Sequence, residues 1–266
     1  MTQDTGSGDC VRSMTDVAPT VSAVLGLPVP SRACGSPLES AASALAGAAR
    51  VAVLVPDGLG LYAWNLWRSE MPFLEGLRAA AGVTLASVMP SITPVNFATM
   101  VTGADPDGHG IRSFHDDFAC ETLFDVVRAS GGKSAGIGFG GYTGSELLGR
   151  SADIWGKVDG GTDDAIANAI LEIAGRSRPE FLIAQLGRVD DAFHRHGPSS
   201  SEVVPMLRET DRRLRLVVER LAGFDYGILI LADHGHHDVD EPSLGLRGTH
   251  GTESPEDCLV PCTWTR

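Results

Sequence analysis

The chain has 266 residues, with 21 lysines and arginines against 34 aspartates and glutamates, a formal net charge of −13. This length accommodates one large α/β domain or two small domains. The acidic balance argues against binding to a nucleic-acid polymer or to an anionic membrane surface. It does not exclude a small anionic substrate, because bound metal ions reverse the local electric field.

Signals for export and membrane insertion are not visible in the sequence. No apolar stretch approaches the length of a transmembrane segment, and the first residues lack the basic and apolar regions of a secretory signal. We therefore expect a cytoplasmic location with reduced cysteines. Cys258 and Cys262 have the spacing of a ligand pair, but the residues around them favour a strand.

The first 48 residues differ in composition from the rest of the chain. They are rich in Ser, Thr, Ala, Gly and Pro, and they predict an N-terminal arm over residues 1–48 with one short helix around residues 21–25. Gly26, followed by Pro28 and Pro30, would end that helix. Residues 49–266 are predicted to form the main domain.

From Val51 onwards, predicted strands alternate with predicted helices. The strands are expected at residues 51–55, 83–88, 135–139, 181–186, 226–232 and 258–264. The helices are expected at residues 61–68, 73–81, 96–102, 121–128, 162–174 and 202–221. Such alternation predicts an α/β fold, a three-layer α/β/α sandwich with a mostly parallel central sheet.

Acidic and imidazole side chains follow two of the most apolar predicted strands. Asp57 comes just after the strand at 51–55, and Asp233 and His234 come directly after the strand at 226–232. Ligand sites in open α/β sheets lie beyond the carboxyl ends of the strands. Carboxylate and imidazole groups together suit zinc or a similar divalent ion. The pattern therefore indicates a metal-centred enzyme.

Further candidate ligands occur in two other loops. Asp190 and His194 are four residues apart, so one helical turn would place both on one face. His250 lies in a glycine-flanked loop in which the backbone can bend to present a ligand. Asp191 is an alternative to Asp190. Of the remaining histidines, His196, His236 and His237 are interpreted as substrate-facing or surface residues, and His109 as a loop support.

A candidate nucleophile lies in the segment from Met89 to Asn96. Thr93 precedes a proline and stands near the start of a predicted helix, where the positive end of the helix dipole favours a bound phosphate. A threonine hydroxyl needs a base or a metal to become a useful nucleophile. Ser91 is the alternative nucleophile.

Taken together, these motifs resemble the alkaline phosphatase superfamily, and most closely its type I phosphodiesterase/nucleotide pyrophosphatase branch. The resemblance runs from about Val51 to Trp264. It rests on the order Asp-Gly after the first strand, Pro-Ser-x-Thr-x-x-Asn, Thr-Gly-x-x-Pro-x-x-His-Gly-Ile, Asp-x-x-x-His-x-x-Gly-Pro, Asp-His-Gly and Thr-His-Gly. It implies an alkaline-phosphatase-like domain, here without room for a large cap domain.

The resemblance also implies two divalent metal ions, with zinc preferred and manganese as the alternative. One ion would be surrounded by Asp57, Thr93, Asp233 and His234, and the other by Asp190, His194 and His250. Thr93 would attack phosphorus and form a phospho-threonine intermediate. The implied activity is hydrolysis of a phosphodiester, a nucleotide pyrophosphate or a small phosphomonoester. Alternatives are a phosphonate C–P hydrolase, a phosphomutase or a non-catalytic metal-binding protein.

The chain departs from the family pattern at one position. Phe114 stands where the family's diesterases usually have an asparagine that contacts a phosphoryl oxygen. Asn96, Arg112 and His115 are the candidate substrate-binding residues in its place. The expected partner is a small phosphoester, with a nucleotide as one option. A homodimer in which the partner subunit closes the site is a further alternative.

Overall fold

The computed structural model describes residues 11–243 and 245–266. In those ranges ten strands occur: β1 (Arg12–Ser13), β2 (Arg50–Pro56), β3 (Gly82–Ala86), β4 (Ser134–Phe139), β5 (Ile154–Val158), β6 (Phe181–Leu186), β7 (Tyr226–Leu231), β8 (His237–Ser243), β9 (Leu246–Thr249) and β10 (Leu259–Thr265). Eight of the described strands form one sheet in the order β1-β3-β10-β7-β2-β6-β4-β5, and β8 pairs with β9 as a separate hairpin.

The middle of the sheet is parallel. The strand β2 lies between β6 and β7, pairing Val51 with Phe181 and Val53 with Leu229. All residues of β6 and β7 are buried, as expected for apolar strands covered on both faces. The strand β10 runs antiparallel to both β3 and β7. The predicted α/β fold with a mostly parallel central sheet is confirmed.

Helices cover the sheet. In the described ranges they are α1 (Val17–Leu25), α2 (Glu39–Ala44), α3 (Leu61–Trp67), α4 (Pro72–Ala80), α5 (Thr93–Thr102), α6 (Pro106–His109), α7 (Leu123–Ala129), α8 (Asp163–Arg176), α9 (Arg188–His196), α10 (Val204–Ala222) and α11 (Pro255–Cys258). The helix α10 packs against α4 and α8, whereas α1 packs against α2 and α5. No helix in this part of the chain is both long enough and apolar enough to cross a membrane.

The described part of the predicted arm packs into the same core. The strand β1 pairs with β3, and α1 buries Val17, Ala18 and Val21 almost completely. The helix begins at Val17, earlier than the predicted 21–25, and ends at Gly26, whose φ of 65° is left-handed. The segment therefore contributes both a strand and core side chains.

Several boundaries differ from the sequence predictions for local reasons. The helix α5 begins at Thr93 rather than at 96, because a proline is well tolerated in the first turn of a helix. The helix α7 begins at Leu123 rather than at 121, because Thr122 forms a capping box with Asp125. The short edge strand β5 lacks the apolar alternation that sequence reasoning needs, and it was not predicted.

Candidate metal and catalytic site

Three neighbouring parallel strands end at one place in the sheet. Asp57 follows β2, Asp233 follows β7, and β6 leads into α9, which carries Asp190 and His194. Because β2 is hydrogen-bonded to both β6 and β7, their carboxyl ends lie side by side. The prediction that Asp190 and His194 share a helical turn is confirmed by α9. The sheet thus brings together ligand types that are far apart in sequence.

One cluster consists of Asp57, Asp233 and His234, all of them buried, with ligand atoms within 4.8 Å of one another. The His234 Nε2 atom lies 3.6 Å from Asp57 Oδ1 and 3.3 Å from Asp233 Oδ2. The other carboxylate oxygen of Asp57 and of Asp233 accepts a hydrogen bond. The amide of Gly58 donates to Asp233 Oδ1 at 3.0 Å, and Gln185 Nε2 donates to Asp57 Oδ2.

A second cluster consists of Asp190, His194, His236 and His250, again with ligand atoms within 4.8 Å. The shortest contact joins His236 Nε2 to Asp190 Oδ1, at 3.2 Å. The Nε2 atoms of His194 and His250 lie 3.6 and 3.8 Å from Asp190 oxygens. The rings of His234 and His250 stack with centroids 3.8 Å apart, so the two clusters adjoin.

The donor atoms of both clusters fit divalent cations. Buried polar atoms are nearly always hydrogen-bonded, and a buried charge without a partner is costly. Here several buried atoms have no hydrogen-bond partner among the described residues: Asp57 Oδ1, Asp190 Oδ1, Asp233 Oδ2 and both ring nitrogens of His236. A cation in each cluster would satisfy these carboxylate oxygens together with one ring nitrogen of His236.

Three imidazoles are oriented for metal binding. The Nδ1 atoms of His194, His234 and His250 lie 3.0, 3.1 and 2.9 Å from main-chain carbonyl oxygens. A carbonyl can only accept, so each Nδ1 carries the hydrogen and donates it. The Nε2 lone pair is then free to face the cluster, as in zinc-binding histidines.

The pKa values reflect the crowding of these groups. Burial, followed by the charges of Asp233 and Asp190, raises the pKa of Asp57 well above its ordinary value. Burial lowers the pKa of His236 and, with the nearby His234, lowers that of His250 to about 4. Burial alone would raise the pKa of Asp190, but contacts with His236 and the other histidines have a larger combined effect and lower it. Bound cations would relieve the repulsion between the carboxylates.

Thr93 is the hydroxyl that the fold presents to the first cluster. Its Oγ1 atom lies 3.0 Å from His234 Nε2 and lines a cavity of about 310 Å³ together with Asp57 and Asp190. Ser91, the alternative nucleophile, is completely buried, and its hydroxyl donates to the carbonyl of Thr252 at 2.8 Å. The geometry therefore favours Thr93 over Ser91.

The predicted substrate-binding residues do not line that cavity. Asn96 is fully buried and braces the loop before α5, because its Oδ1 accepts from the amide of Val88 at 2.8 Å and its Nδ2 donates to the carbonyls of Val88 and Ile92. The interpretation of Asn96 as a substrate contact is therefore corrected. All its polar atoms are engaged by the main chain.

Arg112 and His115 also lie away from the cavity wall. The Arg112 guanidinium is held by the Pro106 carbonyl at 2.6 Å and by Asp107 at 2.7 Å. His115 is exposed, with its ring centroid 4.4 Å from that of Phe114. Phe114 itself lines the cavity, so an apolar ring occupies the position at which the family pattern has an amide.

Sequence reasoning missed His236. Its sequence context predicts a substrate-facing or surface residue, yet it is only 1% exposed and belongs to the second cluster. Gly58, with φ of 73°, packs against it, since a Cβ at that position would lie 2.7 Å from His236 Cε1. The available signal was the spacing: His236 is the second imidazole after Asp233, at the same strand end.

The wall of the cavity near α9 was also missed. The Tyr142 hydroxyl donates to both Asp191 oxygens at 3.0 Å, and Arg188 bonds the same carboxylate at 2.6 Å. Asp191, the alternative ligand, is therefore an anchor for the Tyr142 ring. In the loop after α6, His109 accepts from the Ile111 amide at 3.0 Å, and burial lowers its pKa to about 4, in agreement with a loop-supporting role.

The fold and the site define the class: an α/β/α protein with two acid–imidazole clusters and a hydroxyl at the carboxyl edge of a parallel sheet. The family model for type I phosphodiesterase / nucleotide pyrophosphatase matches residues 51–130 and 140–247. The chain therefore belongs to the type I phosphodiesterase/nucleotide pyrophosphatase family, within the alkaline phosphatase superfamily.

Relatives in sequence are distant and much longer. Ectonucleotide pyrophosphatase/phosphodiesterase family member 1 of Mus musculus is 24% identical over 208 residues, covering 67% of this chain and 23% of that protein. Venom phosphodiesterase 2 of Crotalus adamanteus is 23% identical over 204 residues, covering 65% of this chain and 25% of that protein. The chain thus spans about a quarter of the length of these relatives.

Solved structures share the fold. Murine ectonucleotide pyrophosphatase/phosphodiesterase 5 superposes with a TM-score of 0.63 at 14% identity, covering 80% of this chain and 87% of that one. Phosphonoacetate hydrolase from Sinorhizobium meliloti superposes with a TM-score of 0.55 at 17% identity, covering 74% of this chain and 58% of that one. At these identities the similarity establishes the fold alone.

Proposed function

We propose that this chain hydrolyses phosphoric esters at a two-zinc site through a covalent phospho-threonine. The preferred substrate is a small phosphodiester or a nucleotide pyrophosphate. The observation that carries the proposal is the position of Thr93 Oγ1, 3.0 Å from His234 Nε2 in one cluster, while the stacked His250 belongs to the other. A nucleophile beside two adjoining clusters is the arrangement that two-metal enzymes use for in-line phosphoryl transfer.

The residues that would hold the ions are given by the two clusters. Asp57, Asp233 and His234 would hold one, and Asp190, His194, His236 and His250 would hold the other. When bound, two zinc ions neutralise the charge that develops on the phosphoryl group and on the attacking and leaving oxygens. The cavity in front of Thr93 is lined by Asp57 of the first cluster and Asp190 of the second, which supports binding of the phosphoryl group between the clusters.

The chain's own residues supply positioning. Thr93 stands at the first position of α5, where the positive end of the helix dipole favours ionisation of its hydroxyl and binding of the phosphoryl oxygens. The Thr93 hydroxyl loses its proton to solvent, its oxygen attacks phosphorus, and the bond from phosphorus to the leaving oxygen breaks as that oxygen takes up a proton. Water then loses a proton and attacks the phospho-threonine from the same cavity. The bond between phosphorus and the Thr93 oxygen breaks, the phosphoryl product leaves, and the Thr93 oxygen regains a proton.

The cavity wall supports a substrate with a planar or apolar group. Pro94, Phe114 and Tyr142 line it, and Tyr142 is held in place by Asp191. An aromatic face of this kind suits stacking of a nucleobase. In support, an inactive threonine-to-alanine variant of the murine relative with the same fold was solved in complex with AMP.

Exhaustive chelation is expected to abolish hydrolysis, and added zinc or manganese should restore it. The assay is a panel of bis-p-nitrophenyl phosphate, p-nitrophenyl phosphate and phosphonoacetate, with metal content measured in parallel. Highest kcat/KM on the diester supports the proposal. Preference for phosphonoacetate would replace it with C–P bond hydrolysis. Turnover that survives complete metal removal would exclude the two-zinc mechanism.

His236→Leu is expected to weaken zinc binding at the second cluster by at least about 10- to 100-fold, the scale for groups that only orient metal ligands, because His236 would itself be a ligand. The reason is that His236 Nε2 faces Asp190 at 3.2 Å and has no other partner among the described residues. Calorimetric titration of metal-free protein with zinc measures the change. His196→Leu, outside both clusters, is the control. Equal zinc affinity in the two variants would show that His236 is not a ligand.

A further inference from the structure

One buried carboxylate connects the loops that carry the candidate ligands. Asp257, in the short helix α11, is 0% exposed and is not itself a member of either cluster. Its Oδ1 atom lies 2.8 Å from His237 Nδ1, and its Oδ2 accepts from the amide and hydroxyl of Thr252 at 2.9 and 2.7 Å. Its main-chain carbonyl accepts from the amide of Gly235 at 2.8 Å.

These contacts reach both ligand loops. Gly235 and His237 flank His236 and follow Asp233 and His234, whereas Thr252 lies two residues after His250. Asp257 therefore joins a loop with ligands for both clusters to the loop that completes the second cluster. We propose that Asp257 is a positioning residue that sets the separation of the two metal clusters by clamping these loops together.

The contact between the loops and α11 is tight enough for such a role. A Cβ on Gly235 would collide with the carbonyl oxygen of Glu256, so the Asp-His-Gly turn lies directly against the α11 backbone. On the other side, the Thr252 carbonyl accepts from the Ser91 hydroxyl at 2.8 Å. The clamp therefore extends to the loop that leads into Thr93.

A carboxylate suits this position better than an amide. Each Asp257 oxygen faces hydrogen-bond donors, with the main-chain amide and hydroxyl of Thr252 on one oxygen and His237 on the other. In Asp257→Asn one of the two oxygens becomes an NH₂ group, which cannot accept. If the NH₂ group faces Thr252, it meets two hydrogen-bond donors. If it faces His237, it also meets a donor, unless His237 changes tautomer so that its Nδ1 accepts; the amide oxygen then accepts from Thr252.

The test is zinc binding by the metal-free full chain, measured by calorimetric titration with zinc alone. Asp257→Asn is expected to raise the zinc dissociation constant by about 10- to 100-fold, as for other groups that orient metal ligands. Asp211→Asn is the matched control. Asp211 is also a buried carboxylate, and it accepts from the amides of Phe73 and Leu74 on α4 at 3.2 and 2.8 Å.

Both variants disturb hydrogen bonds to a buried carboxylate, but only Asp257 contacts the loops that carry the candidate ligands. Weaker zinc binding in Asp257→Asn alone supports the clamp. Unchanged zinc binding, or equal weakening in Asp211→Asn, would overturn it. If Asp257→Asn does not fold, Thr252→Val removes the hydroxyl contact to Asp257, together with a longer contact from the Ser254 amide at 3.2 Å, and should still weaken zinc binding. Wild-type affinity in that variant counts against the clamp.

The inference rests on the proposed two-zinc function, but the readout is independent of turnover. A wild-type chain that binds two zinc ions yet hydrolyses no substrate in the panel contradicts the proposed function only. A wild-type affinity of Asp257→Asn for zinc, in a chain that does hydrolyse the diester, contradicts the clamp only.

Discussion

Thr93→Ala is expected to reduce turnover of a diester substrate by at least ~10³-fold, because removal of a covalent nucleophile leaves only the binding and electrostatic contributions of the site. Zinc content should stay close to that of the wild type. Thr93 supplies a hydroxyl beside the first cluster, whereas Asp57, Asp233 and His234 supply its three candidate ligand groups. The measurements are kcat by steady-state kinetics and metal content by elemental analysis.

Two further variants test whether the hydroxyl of Thr93 itself is needed for turnover. Thr93→Ser keeps a hydroxyl at the start of α5 and should retain a measurable part of kcat. Ser91→Ala removes a buried hydroxyl that donates to Thr252, so we expect a loss far smaller than that of Thr93→Ala. A phosphoryl adduct on Thr93, detected by mass spectrometry after acid quenching, would support the covalent step. Full activity of Thr93→Ala would remove Thr93 from the mechanism.

Asp57→Asn should abolish activity and, at the same time, stabilise the metal-free protein by about 0.5 to 2 kcal/mol, the range that single stabilising substitutions commonly reach. Burial and the charges of Asp233 and Asp190 raise the pKa of Asp57, so without metal the wild type carries an electrostatic penalty there. An amide at this position keeps an acceptor for Gln185 and adds a donor towards Asp233. Loss of a ligand for the first ion explains the loss of activity.

The stabilisation should depend on pH with a definite sign. A carboxyl group whose folded pKa is raised contributes stability below its unfolded pKa of about 3.9 and loses it as the pH rises through the folded pKa. In metal-free protein the advantage of Asp57→Asn should therefore grow as the pH rises above about 4. Chemical denaturation of metal-free wild type and variant, from pH 4 to pH 8, measures this difference.

Asp153→Asn is the control, because the pKa of Asp153 is shifted in the opposite direction. Contacts with Arg128 and Ser134 outweigh burial and lower the pKa of Asp153, so its carboxylate is stabilising in the folded state. Replacement by an amide should destabilise the protein at neutral pH and leave kcat unchanged. If Asp57→Asn also destabilises metal-free protein across this range, the repulsion between the carboxylates of the first cluster is not a significant cost.

Much of the fold could be predicted from local sequence. The strands β2, β6 and β7 are mostly apolar, with Arg50 and Gln185 as exceptions, and such runs are typical of strands in a parallel sheet that is covered on both faces. Asp57, Asp233 and His234 could be predicted as candidate ligands because they follow those runs closely. Asp190 and His194 could be paired because four residues make about one helical turn.

By itself, therefore, the sequence determined the α/β class, the strand ends and most candidate ligands, because these depend on spacing along the chain. Only the tertiary structure decided which side chains complete the site. His236 joins Asp190 across the space between two strand ends, and Gln185 reaches Asp57. The side chain of Asn96 instead forms hydrogen bonds with the main chain. Such contacts depend on how separate loops pack against each other, and no local pattern records that packing.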